Sequence, residues 1–203
     1  MKVALIGASG NVGSRILAEL VARGHHVTAI ARHPDKFAPQ DHVTPVKGDV
    51  SDQNELGRLI AGHDAVISAV RFLDSDPQKL IAAVQQARAP RYLVVGGAGS
   101  LEVAPRVKLY DSPQFPPEYK PEAVKGGDFL NLLRNERTLA WTFLSPSALF
   151  GPGERTAKFR LGTDQLLADD QGNSSISYED FAVALVDELE KPAHTRQRFT
   201  VGY

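Results

Sequence analysis

The chain has 203 residues, of which 42% are apolar and 23% charged, with a formal net charge of −1 and no cysteine. The length fits one α/β domain, and the near-neutral charge disfavours nucleic acid and anionic membranes as partners. The lack of cysteine excludes disulfides, thiolate zinc sites and thiol nucleophiles.

Strands and helices are predicted to alternate along the chain. The first apolar run, at residues 3–6, is too short for a signal peptide or a membrane span, so we expect a cytoplasmic protein without membrane contact. Further strands are predicted at 27–31, 43–46, 65–70, 92–95, 141–144 and 198–201. Helical periods lie between them, at 11–23, 55–60, 77–88, 122–137 and 178–189. The alternation predicts an α/β fold with a Rossmann-type doubly wound, mostly parallel sheet.

Two segments interrupt this pattern. Residues 101–121 are rich in proline and carry the aromatic residues Tyr110, Phe115 and Tyr119. We predict a loop here, at the carboxyl ends of the strands, where ligands sit in open α/β folds. Residues 151–176 are also irregular, and the pattern within them predicts a hairpin over 166–176.

A glycine-rich turn joins the first strand to the first helix. Gly7 permits a tight turn, Gly10 lets the backbone approach a pyrophosphate, and Gly13 lets the helix pack on the strand. The N–H groups of the first helical turn, at Asn11 and Val12, then face the anion. We therefore predict a single NAD(P)-binding domain over 1–203. Its dinucleotide-binding core covers 1–150, and a small C-terminal extension on the substrate side covers 151–203.

The end of the second predicted strand indicates which dinucleotide binds. An acidic residue there would bind the ribose hydroxyls of NAD, but the chain has Arg32. A guanidinium can hold a 2′-phosphate, and Ser9 can donate a further hydrogen bond. We predict NADPH as the cofactor, with NADH as the alternative if Arg32 is a solvated surface side chain.

Other strand ends supply the remaining predicted cofactor contacts. Asp49 and Val50 follow the third strand, where the adenine lies, although Asp49 could instead cap the next helix. The fourth strand places Ser68, Ala69 and Val70 beneath the nicotinamide ribose.

Several motifs together resemble a known family. They are the glycine turn, Arg32 after the second strand, and the stretches 48–50, 62–67, 96–100, 141–146 and 176–182. In these the chain resembles the atypical short-chain dehydrogenase/reductases, in the NAD(P)H-binding group with NmrA-like and flavin-reductase-like members. The resemblance implies that Ser145 and Pro146 hold the carboxamide side of the cofactor, and Gly97 is counted among the cofactor-binding residues.

The chain departs from the wider superfamily at its proton-transfer pair, Tyr-x-x-x-Lys. Tyr119 is followed by Ala123 where the lysine would stand, and Ser100 replaces the usual serine only loosely. Ser100 and Tyr119 remain the catalytic candidates, with a packing role as the alternative for Tyr119. The pair Ser177-x-x-Asp180 is interpreted as a helix cap. None of the six histidines has metal-ligand spacing, so no metal site is predicted.

The preferred hypothesis is an NAD(P)H-dependent reductase of a small flat acceptor such as a flavin or quinone, which takes hydride directly and a proton from solvent. The alternatives are a redox-sensing regulator that binds NAD(P) without turnover and, third, a sugar-nucleotide epimerase or dehydratase. The expected partner is a small-molecule substrate, and the sequence is compatible with a homo-oligomer.

Overall fold

The computed structural model describes residues 1–38 and 40–203, in which strands and helices alternate. The helices are α1 (Asn11–Ala22), α2 (Gln53–Ile60), α3 (Pro77–Ala87), α4 (Lys120–Asn135) and α5 (Tyr178–Glu190). The strands are β1 (Lys2–Ile6), β2 (His26–Ala31), β3 (Val43–Lys47), β4 (Ala65–Ser68), β5 (Tyr92–Val95), β6 (Glu102–Ala104), β7 (Val107–Lys108), β8 (Trp141–Pro146), β9 (Leu149–Gly151), β10 (Arg160–Gly162), β11 (Ser175–Ser177) and β12 (Gln197–Gly202).

One eight-stranded sheet organises the chain, in the order β10-β12-β8-β5-β4-β1-β2-β3. Neighbouring strands pair in parallel, except that β10 runs antiparallel to β12. The order moves outward in both directions from β1 and β4, which is the arrangement of a doubly wound fold. The Rossmann-type prediction is therefore confirmed.

Helices cover both faces of this sheet because successive strand residues point to opposite sides. Leu5 packs into one core with residues of α1 and α5, such as Ile16 and Phe181. Its neighbour Ile6 packs into the other core with residues of α4 and β8, such as Phe129 and Trp141. Parallel strands covered on both faces explain why the strands are continuous apolar runs.

The predicted hairpin over 166–176 is wrong. The turn signal within it is real, because the Asp169 carboxylate accepts hydrogen bonds from the Gln171 and Asn173 amides. The flanking residues, however, pair with distant segments: the Leu166 amide donates to the Glu102 oxygen, and β11 runs parallel to β9. A local turn pattern does not reveal such non-local partners.

Other boundaries shift by a few residues. The strand predicted over 65–70 ends at Ser68, so Ala69 and Val70 lie in the following loop. The segment 101–121, predicted as a loop, contains the short antiparallel pair β6–β7 and two 3-10 turns, Leu109–Asp111 and Pro117–Tyr119.

The polar motif before α5 caps that helix, as predicted. The Ser177 hydroxyl accepts a hydrogen bond from the Asp180 amide at 2.9 Å. Asp180 is fully buried, and its Oδ1 also accepts from the amides of Thr156 and Ala157, at 2.8 and 2.7 Å. This carboxylate therefore ties the irregular stretch after β9 to α5. Among the helices of residues 1–38 and 40–203, none is both long enough and apolar enough to cross a membrane.

Candidate cofactor-binding site

A cleft of about 260 Å³ opens where β1, β2 and β4 end. It is lined by loop and strand-end residues: Ile6, Gly7, Ser9, Gly10, Ile30, Ala31, Arg32, Gly48, Asp49, Val50, Ala69, Val70, Arg71 and Asp74. The structure therefore brings eight of the predicted cofactor-binding residues into one cavity: Gly7, Ser9, Gly10, Arg32, Asp49, Val50, Ala69 and Val70. Carboxyl ends of parallel strands are the usual ligand position in this fold class.

The three glycines of the turn differ in what surrounds them. Gly7 has a φ of +83°, and a Cβ there would lie 2.4 Å from the carbonyl oxygen of Ala69. A Cβ on Gly13 would lie 2.1 Å from the Gly7 oxygen. On Gly10 the same contact is 3.3 Å, and this residue is exposed at the cleft. Backbone packing thus requires Gly7 and Gly13, whereas Gly10 leaves space on the cleft side.

The first turn of α1 presents polar groups beside the same cleft. Gly10 is the N-cap, no side chain caps the helix, and its first turn carries no acidic residue. The first N–H groups of a helix lack partners within the helix and carry the positive end of its dipole. Predicted residues Asn11 and Val12 lie in this turn, so their amides are suited to a phosphate.

Two arginines line the cleft. Arg32 follows β2 and Arg71 lies in the loop after β4, and both are exposed. Arg71 is not among the predicted contacts, although it directly follows the strand predicted over 65–70 as Arg32 follows the strand over 27–31. The signal that could find it is a cation just past the end of a strand that neighbours β1.

Asp49 is an ionised acceptor in the cleft. Its carboxylate accepts a hydrogen bond from the Ser51 amide at 2.8 Å. The hydrogen bonds with Ser51, together with the nearby charge of Arg32, lower the pKa of Asp49. The N-cap of α2 is Asp52, whose side chain accepts from the Glu55 amide. Asp49 therefore does not cap the helix and remains open to a ligand amine.

Four further predicted cofactor contacts lie outside the cleft lining. Ser68 is buried and hydrogen-bonds the Tyr92 hydroxyl at 3.0 Å. Gly97 faces the ring of Phe72, which a Cβ would approach to 3.4 Å. Ser145 and Pro146 are buried at the end of β8, and the Ser145 hydroxyl oxygen has no hydrogen-bond partner among the described residues. The cleft thus contains the turn, Arg32 and Asp49, but not the positions predicted for the nicotinamide carboxamide.

The two catalytic candidates are not brought together in the cleft. Ser100 is buried, and its hydroxyl accepts a hydrogen bond from the Arg198 guanidinium at 3.1 Å. Tyr119 is 63% exposed, just before α4. The structure instead joins another tyrosine and lysine, since Lys108 Nζ donates to the Tyr110 hydroxyl at 2.9 Å. The lysine stands two residues before the tyrosine, which does not match the superfamily pattern, so motif spacing could not have selected this pair.

Comparison with known proteins extends this picture. The profile of a family described as NAD(P)H-binding matches residues 7–192. The uncharacterised protein YwnB of Bacillus subtilis is 42% identical over an alignment of 211 positions, which covers 99% of this chain and 98% of that protein.

Solved structures of similar proteins share the whole fold. A proposed epimerase from Bacteroides thetaiotaomicron is 45% identical, with a TM-score of 0.95 and coverage of 100% of this chain and 96% of that one. A proposed NADH-flavin reductase from Streptococcus pneumoniae is 38% identical, with a TM-score of 0.85 and coverage of 100% and 99%.

Proposed function

The chain belongs to the NAD(P)H-binding family, and from this premise we propose that it is an NADPH-preferring oxidoreductase that reduces a small flat acceptor, such as a flavin or a quinone. The observation that carries the proposal is the cleft itself. It gathers the exposed Gly10, the guanidinium of Arg32 and the carboxylate of Asp49, which we propose contact the pyrophosphate, the 2′-phosphate and the adenine.

The preference for NADPH rests on charge at the end of β2. Arg32 occupies the place where an acidic residue would bind a 2′-hydroxyl and repel a 2′-phosphate. Arg71 adds a second guanidinium to the cleft lining. A planar guanidinium makes short, charge-assisted bonds to phosphate. The S. pneumoniae relative bears a name that specifies NADH, so a direct comparison of the two cofactors is the critical measurement.

The proposed acceptor is supported by the absence of a Tyr-x-x-x-Lys pair from the sequence. Carbonyl reduction needs a positioned acid, and neither Ser100 nor Tyr119 lines the cleft. Tyr110, which Lys108 contacts, does not line it either. Flavins and quinones accept hydride directly, and the protein then needs to hold the acceptor against the nicotinamide. The aromatic segment 101–121, which follows β5, is the proposed wall of that acceptor site.

The two alternatives make different predictions. A redox-sensing regulator would bind NADPH and leave every acceptor unreduced. A sugar-nucleotide epimerase, the activity class named for the B. thetaiotaomicron relative, would bind a nucleotide sugar and return its cofactor oxidised after each turnover. Steady-state oxidation of NADPH in the presence of FMN or a quinone is expected of the proposed reductase alone.

The test is a titration of purified protein with NADPH and NADH, followed by acceptor assays. We expect tighter binding of NADPH, and we expect R32Q to weaken NADPH binding roughly 10- to 100-fold while NADH binding changes little. The variant R58Q, on the exposed side of α2, is the charge-matched control. Equal or tighter NADH binding by the unmodified protein would refute the NADPH preference, and absence of acceptor reduction would refute the reductase.

A further inference from the structure

The loop after β4 forms one wall of the cleft, and its backbone is held in place by a residue that does not line the cleft. Arg71 and Asp74 of this loop line the cleft. Glu122, in the first turn of α4, accepts two consecutive backbone hydrogen bonds from the loop. Its Oε1 accepts from the Phe72 amide at 2.7 Å, and its Oε2 accepts from the Leu73 amide at 2.9 Å. Glu122 itself does not line the cleft.

The side chain of Phe72 anchors the same loop from inside. Its ring centroid lies 6.2 Å from that of Phe129 and 6.4 Å from that of Phe143. The ring rests on Gly126 of α4, where an added Cβ would lie 2.7 Å away. Because α4 supplies Glu122, Gly126 and Phe129, both the backbone and the ring of Phe72 are fixed by one helix.

The turn formed by residues 71–75 is stabilised by two hydrogen bonds to one carbonyl group. The Arg71 oxygen accepts from the Asp74 amide at 3.2 Å and from the Ser75 hydroxyl at 2.9 Å. These local bonds make 71–75 a compact unit, so a displacement at Phe72 also moves Arg71 and Asp74. The position of this cleft wall therefore depends on the contact with Glu122.

We propose that Glu122 is a positioning residue for the dinucleotide: its carboxylate fixes the 71–75 wall so that Arg71 and Asp74 line the cleft together with Arg32 and Asp49, the residues proposed to hold the adenosine half of the cofactor. This proposal rests on the proposed function. Each of the two loop N–H groups donates to a different oxygen of Glu122, and an amide in the same orientation would present an NH2 group to one of them. Since α4 begins at Lys120, at the end of the segment 101–121, Glu122 also connects that proposed acceptor wall to the cofactor wall.

The test compares E122Q with D128N. The amide in E122Q keeps the size of the side chain but leaves one loop N–H without an acceptor, so we expect Kd for NADPH and for adenosine 2′,5′-bisphosphate to rise roughly tenfold. Asp128 is exposed on the same helix and does not line the cleft, so D128N removes one negative charge with less than a twofold change in either Kd. At saturating NADPH, the rate of acceptor reduction by E122Q should return to that of the unmodified protein.

The outcomes separate this inference from the proposed function. If the unmodified protein binds neither NADPH nor NADH, the proposed function fails. If it binds NADPH and E122Q binds equally well, Glu122 is not a positioning residue and the proposed function stands. If E122Q does not fold, hydrogen exchange of the unmodified protein tests the role of Glu122 instead. Slower exchange of the Phe72 and Leu73 amides on addition of NADPH supports the proposal, and unchanged exchange overturns it.

Discussion

Replacement of Gly10 by alanine should weaken the binding of NADPH while leaving the free energy of unfolding almost unchanged. Gly10 has an ordinary φ of −74°, and the new Cβ would lie 3.3 Å from the Gly7 oxygen, so the backbone needs only a small adjustment. Alanine is a poorer N-cap than glycine but restricts the unfolded chain, and these opposing effects should keep the change in unfolding free energy within about 1 kcal/mol. The methyl group would project toward the proposed pyrophosphate position. Loss of a charge-assisted hydrogen bond there, about 1.5–3 kcal/mol, corresponds to roughly a 10- to 100-fold rise in Kd for NADPH.

The matched comparison is Gly13→Ala, three residues further along the same turn. Its Cβ would lie 2.1 Å from the Gly7 oxygen and 2.9 Å from the Gly7 carbonyl carbon, so the strand and helix must separate. Overpacking of this kind costs about 1–3 kcal/mol, which lowers Tm by several degrees in a chain of this size. Fluorescence titration with NADPH and thermal unfolding monitored by circular dichroism measure the two effects. The reasoning is refuted if G10A binds NADPH as tightly as the unmodified protein does.

Three further variants test other parts of the structure. D180N should lower the free energy of unfolding by about 1.5–3 kcal/mol, because its NH2 group replaces the oxygen that accepts from the Thr156 and Tyr203 hydroxyls; chemical denaturation measures it, and an unchanged midpoint contradicts it. Hydrogen bonding to Arg155 lowers the pKa of Glu19, so the stabilisation is present above pH 4.5 and is lost as the pH falls further; E19Q should flatten this acid limb in unfolding experiments between about pH 3 and pH 7, and an unaltered limb contradicts it. S100A should retain acceptor reduction within about twofold, since Ser100 is buried outside the cleft lining; loss of activity in a folded variant would restore Ser100 as a catalytic residue.

The glycine turn and Arg32 can be predicted from the sequence because each is recognised from residues that are contiguous in the chain. In the glycine turn, β1 and α1 are joined by a short segment, so the tight turn requires glycine at position 7 and the packing of α1 on β1 requires glycine at position 13. Arg32 is identified in the same way, since a residue directly after a parallel strand lies at the ligand edge of the sheet. These inferences need only the approximate position of each strand end, which an apolar run followed by glycine or a charged residue indicates.

The remaining walls of the cleft are not predictable in this way because they depend on partners far apart in sequence. Arg71 carries the same signal as Arg32, since it directly follows the strand predicted over 65–70, but the position of its loop depends on a contact with α4. Glu122 contacts Phe72 across 50 positions of the chain. Its sequence context, in the first turn of a helix, suggests an ordinary favourable interaction with the helix dipole. No periodicity distinguishes that interaction from a bond to a distant loop.

Ser100 is a second residue whose hydrogen bonding is set by a partner far away in the sequence. Arg198 enters the sheet on β12, which pairs with β8, and its guanidinium reaches both the Asp164 carboxylate and the Ser100 hydroxyl. A buried guanidinium must have its donors satisfied, since an unpaired buried charge is strongly destabilising. The serine hydroxyl therefore serves as an acceptor for Arg198, while its own O–H stays available as a donor. Because neither Ser100 nor Tyr119 lines the cleft, neither candidate acid is gathered with the proposed cofactor contacts, which supports the proposed flavin or quinone acceptor over a simple ketone.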